Sequence, residues 1–191
     1  MDVYVARQPI FNKRKGIFGY ELLFRDGLVN AFPDVDGDAA TSRVLSASFL
    51  SNGIERITGH KKAFVNFSEK MIAGKIPGMF PKKIIMVEIL EDVEPTEAVV
   101  AACREMEKDG YTLVLDDFVF KPEMMPFLPL VRIVKLGFRA NPIKKIKESI
   151  KELSEYPIKL LAEKIETHEE FQQARDLGFD YFQGYFFSKP E

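Results

Sequence analysis

The chain repeats one pattern, in which a short run of β-forming apolar residues ends in a polar or charged residue. The clearest case is Tyr111 to Phe118, YTLVLDDF, where the apolar run ends in Asp116 and Asp117. Two adjacent carboxylates at the end of a buried strand cost desolvation free energy, and each raises the pKa of the other unless a cation lies beside them. This strand end is therefore a candidate functional site.

Further strands of this kind follow along the chain, and from about residue 62 they alternate with helical segments. They are apolar on both faces, which is typical of a buried parallel sheet, and their spacing suits βα units. No glycine-rich phosphate loop follows any strand, which disfavours the doubly wound nucleotide-binding folds. The pattern predicts an α/β fold, a TIM-like (β/α) barrel, in which catalytic groups stand at the C-terminal ends of the strands. The predicted strands are Lys62–Phe67, Lys83–Glu88, Tyr111–Phe118, Val131–Leu136 and Ile158–Glu163.

The first residues predict an N-terminal β-hairpin. Val3–Ala6 and Ile17–Phe24 are strand-like, and the polar segment Asn12–Gly16 connects them. Pro33–Asp38, PDVDGD, resembles a calcium-binding loop but lacks the glycine and the bidentate acid at the required spacing. We therefore predict a turn and a helix N-cap there, followed by an amphipathic helix over residues 40–57.

Three later helices have recognisable start or stop signals. One is predicted between Pro95 and Gly110, with Cys103 on its apolar face as a core residue. Another opens at Asn141, just before a proline. Thr167 and Glu170 have the spacing of a capping box and predict the start of the last helix.

Composition narrows the class of protein. With 191 residues, of which 46% are apolar, the chain is long enough for one domain with a sizeable core. A net charge of −2 provides no general field for DNA or for an anionic membrane, so neither partner is predicted. One cysteine excludes an internal disulfide framework, and the isolated His60 and His168 exclude the usual zinc spacings. The sequence shows no export signal and no run of apolar residues long enough to span a membrane, so we predict a cytoplasmic protein.

The polar strand ends would converge in a barrel and form a cation site. Their oxygen ligands suit Mg²⁺ or Mn²⁺, and two such ions about 4 Å apart can activate a water and stabilise the leaving oxygen of a phosphodiester. Lys135 would orient that water or neutralise charge, and Glu163 or Asp117 would accept its proton. Two local alternatives remain: Asp116 and Asp117 could cap a turn, and Glu163 and Glu166 could be an exposed loop pair. The candidate metal ligands are Glu21, Asn66, Glu88, Asp116 and Asp117.

The same residues, in this order, resemble the EAL domain of bacterial cyclic di-GMP signalling, and the resemblance covers nearly the whole chain. YELLFR, at residues 20–25, is similar to the signature that names the family, with Leu22 in place of its alanine. Four segments are most similar to the EAL part of EAL-HDOD proteins: VARQPIF, YELLFR, ILEDVEP and AEKIET. The sequence contains no HDOD domain, so we expect one EAL-like barrel domain over residues 1–191. A fragment of a longer chain would explain why the second domain is missing. The other motifs are NFS (66–68), VEILE (87–91), LDDF (115–118), VK (134–135), LAEKIET (161–167) and QGYFFSKP (183–190).

The resemblance implies a metal-dependent phosphodiesterase that hydrolyses cyclic di-GMP to linear pGpG. Glu21, Asn66, Glu88 and Asp116 would form a cage for Mg²⁺ or Mn²⁺, and Asp117 would reach a second ion. In that scheme Lys135 and Glu163 handle the attacking water. Arg25, Glu166 and Gln183 would form the substrate side of the site, with Glu166 bracing a neighbouring loop. An output domain or protein partner and a homodimer are further implied associations.

Several departures from the family pattern favour an alternative, a degenerate module that binds cyclic di-GMP or a protein partner without catalysis. Residues 119–122, VFKP, replace a small glycine-containing loop after LDDF. Gly137 stands where the family has an aspartate, and Lys164 stands where it has a glycine. The segment between Arg25 and Asn66 is short and lacks the usual acidic stretch. These changes spare the ligands but alter their support, and small displacements of catalytic groups lower rates strongly.

The apolar residues after VFKP have two interpretations. Exposed side chains in FKPEMMPFLPL would favour a docking surface for a protein partner, whereas buried ones would form core beneath the loop. The side chains that decide between them are Phe120, Met124, Met125 and Phe127.

Overall fold

The computed structural model describes residues 4–25, 53–139 and 141–191. Its eight strands close into a barrel in chain order, which confirms the predicted TIM-like (β/α) barrel. The predicted turn at Pro33–Asp38 and most of the helix predicted over residues 40–57 lie outside the described residues. Residues 53–58, at the end of that prediction, are helical and are called α1.

All strands predicted from residue 62 onward are present. The strands are β1 (Tyr4–Asn12), β2 (Ile17–Arg25), β3 (Lys62–Phe67), β4 (Ile85–Ile89), β5 (Thr112–Leu115), β6 (Ile133–Gly137), β7 (Lys159–Glu163) and β8 (Tyr181–Phe182). The helices after α1 are α2 (Glu69–Ala73), α3 (Glu97–Lys108), α4 (Ile143–Leu153) and α5 (His168–Asp176), with 3-10 helices at Ile76–Met79 and Pro122–Phe127. Among the described helices, none has the length and apolar character needed to cross a bilayer.

The N-terminal hairpin is confirmed, and it also closes the barrel. β1 extends beyond the predicted Val3–Ala6 because it pairs with β2 along its whole length. β1 is antiparallel to both of its neighbours, β2 and β8. From β2 to β8 all neighbouring strands are parallel, so the C-terminal ends of seven strands meet at one end of the barrel.

A layer of apolar side chains fills the middle of the barrel, and every strand contributes to it. Side chains alternate between the two faces of a strand, so every second residue points inward. This apolar layer consists of Ile10, Phe64, Met86, Val114, Ile133, Leu161 and Tyr181, with Phe18 of β2 packed against them. The strand residues between these inward-pointing ones face outward and pack against side chains of the helices in a second, larger core cluster.

Helix α3 packs its apolar face onto that second cluster. Its N-terminus is capped by Thr96, whose hydroxyl accepts a hydrogen bond from the Val99 backbone N–H at 3.4 Å. Cys103 is buried on the inner face, as predicted, and burial raises the pKa of its thiol to about 12. The thiolate is the reactive form, so Cys103 is a core residue and not a nucleophile.

The apolar residues after VFKP are mostly core. Met124 and Phe127 are buried and Phe120 packs against the same cluster, which confirms the core interpretation for these three. Met125 differs, since it is 49% exposed. Met125 and Val119, the residue directly before this segment, are therefore the exposed large apolar side chains of this region.

Candidate active site

The polar strand ends form a second layer inside the barrel, directly above the apolar layer. Six of these residues lie two positions after the apolar-layer residue of the same strand, so they face the same interior. β1 runs in the opposite direction, so its polar-layer residue, Gln8, lies two positions before Ile10. Gln8 pairs with Glu21 of β2. This polar layer consists of Gln8, Glu21, Asn66, Glu88, Asp116, Lys135, Glu163 and Gln183, one from each strand or the position just after it.

Lys135 lies at the centre of the polar layer, surrounded by all four of its carboxylates. Its Nζ atom is 2.6 Å from Asp116 Oδ1 and 3.0 Å from Glu88 Oε1. Glu163 Oε2 and Glu21 Oε1 follow at 3.4 and 3.6 Å. The lysine side chain is 1% exposed, so the ammonium is held by these acids and not by water.

The charges in this layer do not balance, which perturbs several pKa values. Burial alone would lower the pKa of Lys135, but the carboxylates, Asp116 foremost, outweigh it and hold that pKa well above its ordinary value. Burial raises the pKa values of Glu88 and Glu163 well above the ordinary value, against the opposing effect of Lys135. One ammonium cannot neutralise four carboxylates, so the layer has an excess of negative charge that a bound cation would reduce.

The amide side chains of the polar layer orient Glu21. Gln183 Nε2 donates to Glu21 Oε2 at 2.6 Å and to Gln8 Oε1 at 3.2 Å. Asn66 Nδ2 lies 3.4 Å from the other oxygen, Glu21 Oε1. Gln8 in turn donates to the Ser188 carbonyl at 3.1 Å, which ties the layer to the C-terminal segment.

The donor set of the layer fits a hard divalent cation. Five buried oxygens from four of its side chains have no hydrogen-bond partner: Asn66 Oδ1, both carboxylate oxygens of Glu88, Glu163 Oε1 and Gln183 Oε1. Glu88 Oε1 contacts the Lys135 ammonium only as an ion pair, without hydrogen-bond geometry. Buried oxygens without partners are rare in folded proteins, and carboxylate and amide oxygens are the ligands that Mg²⁺, Mn²⁺ and Ca²⁺ prefer. Within residues 4–25, 53–139 and 141–191, no three acidic, histidine or cysteine side chains are already arranged to coordinate a metal ion. In this arrangement the Lys135 ammonium lies between the carboxylates.

Asp117 lies beside the polar layer and pairs with a residue that the sequence analysis did not place in the site. Its carboxylate forms an ion pair and hydrogen bond with Lys164 Nζ, which is also 3.7 Å from Glu163 Oε1. Burial would raise the pKa of Asp117, but hydrogen bonds with Glu163 and Lys164 outweigh it and lower that pKa.

Above the layer, a cavity of about 660 Å³ opens toward the end of the barrel. Most of the polar layer lines its floor, and Arg139, Lys164, Glu166 and Tyr185 are among the residues of its wall. Glu166 forms an ion pair with Arg139 at 2.9 Å. The side chain of Arg25, a predicted substrate contact at the end of β2, lies outside the described part of the chain.

The structure brings together seven of the predicted site residues in the polar layer, with Asp117 and Glu166 beside them. Sequence reasoning missed Gln8, although a signal was available. Because β1 runs antiparallel, the layer is reached by counting two residues backward from Ile10. It also missed the contact of Lys164 with Asp117, which depends on a loop conformation that no periodicity reveals.

Comparisons with known proteins agree with this geometry. The sequence model of the EAL domain family matches residues 77–190. The chain is 46% identical over 191 residues to a Vibrio cholerae protein named cyclic di-GMP phosphodiesterase CdgJ, covering 98% of the chain and 44% of that protein. The chain spans less than half the length of the curated relatives that it matches.

Solved structures share the barrel. An EAL domain protein from Listeria monocytogenes superposes with a TM-score of 0.73 at 20% identity, covering 98% of this chain and 88% of the other. The YkuI protein of Bacillus subtilis, with cyclic di-GMP and calcium bound, gives a TM-score of 0.71 at 18% identity, covering 100% of this chain and 56% of that one. At these identities the likeness establishes the fold.

Proposed function

Because this chain belongs to the EAL domain family, we propose that it hydrolyses cyclic di-GMP to linear pGpG in a reaction that requires Mg²⁺ or Mn²⁺. The observation that carries the proposal is the polar layer, in which four carboxylates surround one buried ammonium at the floor of an open cavity. The similarity to the Vibrio cholerae protein named cyclic di-GMP phosphodiesterase supports the choice of substrate.

The residues proposed to hold the cation are Glu21, Asn66, Glu88 and Asp116, with Asp117 beside them. The unpartnered oxygens of Asn66 and Glu88, and the excess of carboxylates over ammonium groups in the layer, support this assignment. When bound, a divalent cation would acidify a water molecule and stabilise the negative charge that develops on the phosphodiester. Gln183 and Asn66 fix the position of the Glu21 carboxylate through hydrogen bonds, so it is oriented before any ligand arrives.

Glu163 is favoured over Asp117 as the base that accepts the proton of the attacking water. Burial raises the pKa of Glu163 well above its ordinary value, and a carboxylate with a raised pKa is the stronger base. Asp117 has a lowered pKa and is paired with Lys164, so it is the weaker base. The Lys135 ammonium, in contact with Glu163, would position that water and neutralise charge on the phosphate.

The wall of the cavity supports a substrate that carries phosphates. Arg139 and Lys164 are exposed cationic side chains at its edge. Glu166 holds the Arg139 guanidinium by an ion pair, which supports its role in bracing the wall. Two further substrate contacts are proposed: Gln183, directly after β8, and Arg25, at the end of β2. Arg25 is proposed from its motif alone.

A second candidate is a non-catalytic module that binds cyclic di-GMP, and one observation favours it. Lys164 already neutralises Asp117, which leaves that carboxylate less available to a metal ion. The chain also spans less than half of its curated relatives, so we propose that an output domain or protein partner completes the signalling protein. A homodimer and a cytoplasmic location remain predictions from the sequence.

Turnover by the purified chain decides between the two candidates. We expect linear pGpG to appear, by chromatography and mass spectrometry, when cyclic di-GMP is incubated with the chain and Mn²⁺ or Mg²⁺. Glu163→Gln should lower the rate at least about 100-fold, because it keeps the shape of the side chain but removes the base. Glu148→Gln, an exposed substitution on α4, should retain the rate. Binding of cyclic di-GMP without any product above the Glu163→Gln background would establish the non-catalytic module.

A further inference from the structure

Lys164 places a second positive charge next to the polar layer. It follows Glu163, the last residue of β7, and its Nζ atom contacts the Asp117 carboxylate and lies 3.7 Å from Glu163 Oε1. These two acids come from different strand ends, β5 and β7. Lys164 therefore bridges them in the way that a bound cation would, in addition to the central Lys135.

The backbone on both sides of this ion pair is unusual. Lys164 has φ 59° and Asp117 has φ 41°, so both residues adopt the left-handed conformation that disfavours residues with a Cβ atom. Such strain persists where the surrounding structure enforces it, and it concentrates at functional sites. Lys15, His60 and Lys75 share this conformation away from the site, and what distinguishes Lys164 and Asp117 is that their side chains meet in an ion pair.

Formal charges show what Lys164 does to cation binding. With Asp117 included, five carboxylates face two ammonium groups, a net charge of −3 when all are ionised. One divalent cation reduces this to −1, whereas two would reverse it to +1. Without Lys164 the net charge is −4, which two divalent cations neutralise. The lysine therefore replaces much of the charge that a second metal ion would contribute.

We infer that Lys164 is a positioning residue that serves as an internal cation for Asp117 and Glu163, so that this site holds one divalent ion in place of two. The inference rests on the proposed function for the identity of the first cation site, the polar layer. It adds that Asp117 is not a metal ligand in this chain while Lys164 is present. Removing the Lys164 charge would free Asp117 and Glu163 and create a second cation site.

The number of Mn²⁺ ions bound per chain tests this inference without nucleotide or turnover. Isothermal titration calorimetry should give one ion for the unmodified chain and two for Lys164→Gly. Lys164→Met should also give two, because it removes the charge while keeping a Cβ atom in the strained backbone. Lys164→Arg, which keeps the charge, should give one.

A double substitution locates the additional ion. Asp117→Asn alone should leave the count at one, whereas in the Lys164→Gly background it should reduce the count from two to one. Two ions on the unmodified chain, or one ion on both Lys164→Gly and Lys164→Met, would overturn the inference. A count of zero in every variant would also overturn it, and the turnover assay would then show separately whether the chain hydrolyses cyclic di-GMP.

Discussion

Among single residues, Gly184 controls how the chain passes from the polar layer to the loop above it. It follows Gln183 and has φ 153°, and a Cβ atom there would lie 2.0 Å from the Ile165 carbonyl oxygen. The backbones of the two segments are joined at this point, since Ile165 N–H donates to the Gln183 carbonyl at 3.1 Å. Gln183, the residue before Gly184, donates its side-chain amide to Glu21.

We therefore expect Gly184→Ala to destabilise the protein by about 3 kcal/mol, because backbone atoms must separate to admit the methyl group. Gly178→Ala is the matched control, since Gly178 also has a positive φ, of 90°, but a Cβ atom added there would meet no atom within 4 Å. That control should cost only about 1 kcal/mol of backbone strain. Urea unfolding of both variants measures the difference, and equal losses would show that the approach to Ile165 is unimportant.

Among the secondary structure elements, α5 fixes the loop that carries Lys164 and Glu166. The predicted capping box is present: Thr167 Oγ1 accepts from Glu170 N–H at 3.1 Å, and Glu170 Oε2 accepts from Thr167 N–H at 3.2 Å. Glu170 Oε2 also accepts from Glu166 N–H at 2.7 Å. One carboxylate thus joins the helix start to the cavity wall.

Glu170→Ala removes the carboxylate that accepts hydrogen bonds from the backbone N–H groups of Glu166 and Thr167. It should lower the free energy of unfolding by about 1 kcal/mol, the usual value of a helix cap. It should also raise the KM for cyclic di-GMP more than it lowers kcat, because Glu166 and Arg139 belong to the cavity wall. Glu169→Ala, an exposed neighbour in the same helical turn, is the control for loss of charge. If Glu169→Ala and Glu170→Ala behaved alike, the cap would have no special role.

Over the whole molecule, periodicity explains why so much was predictable. Runs of apolar residues identified the strands from Lys62 onward, and the polar residues on those strands and on β2 identified six of the eight members of the polar layer. The seventh, Gln183, was predicted from the family resemblance. The eighth, Gln8, was missed because β1 runs against the other strands, and strand direction is a property of the closed barrel. The Lys164 contact was missed because a left-handed loop residue has no signal in a pattern of period two.

The central claim, that the polar layer of the barrel is a cation site, is tested most directly by thermal unfolding with and without Mn²⁺. At a concentration about 100 times the dissociation constant, the ion should stabilise the unmodified chain by about 2.7 kcal/mol and raise its Tm. Glu88→Gln should lose most of this increment, because Glu88 is fully buried and neither of its oxygens has a hydrogen-bond partner. Glu148→Gln should retain it. An equal Mn²⁺ effect on the unmodified chain and on Glu88→Gln, or no effect on either, would contradict the account.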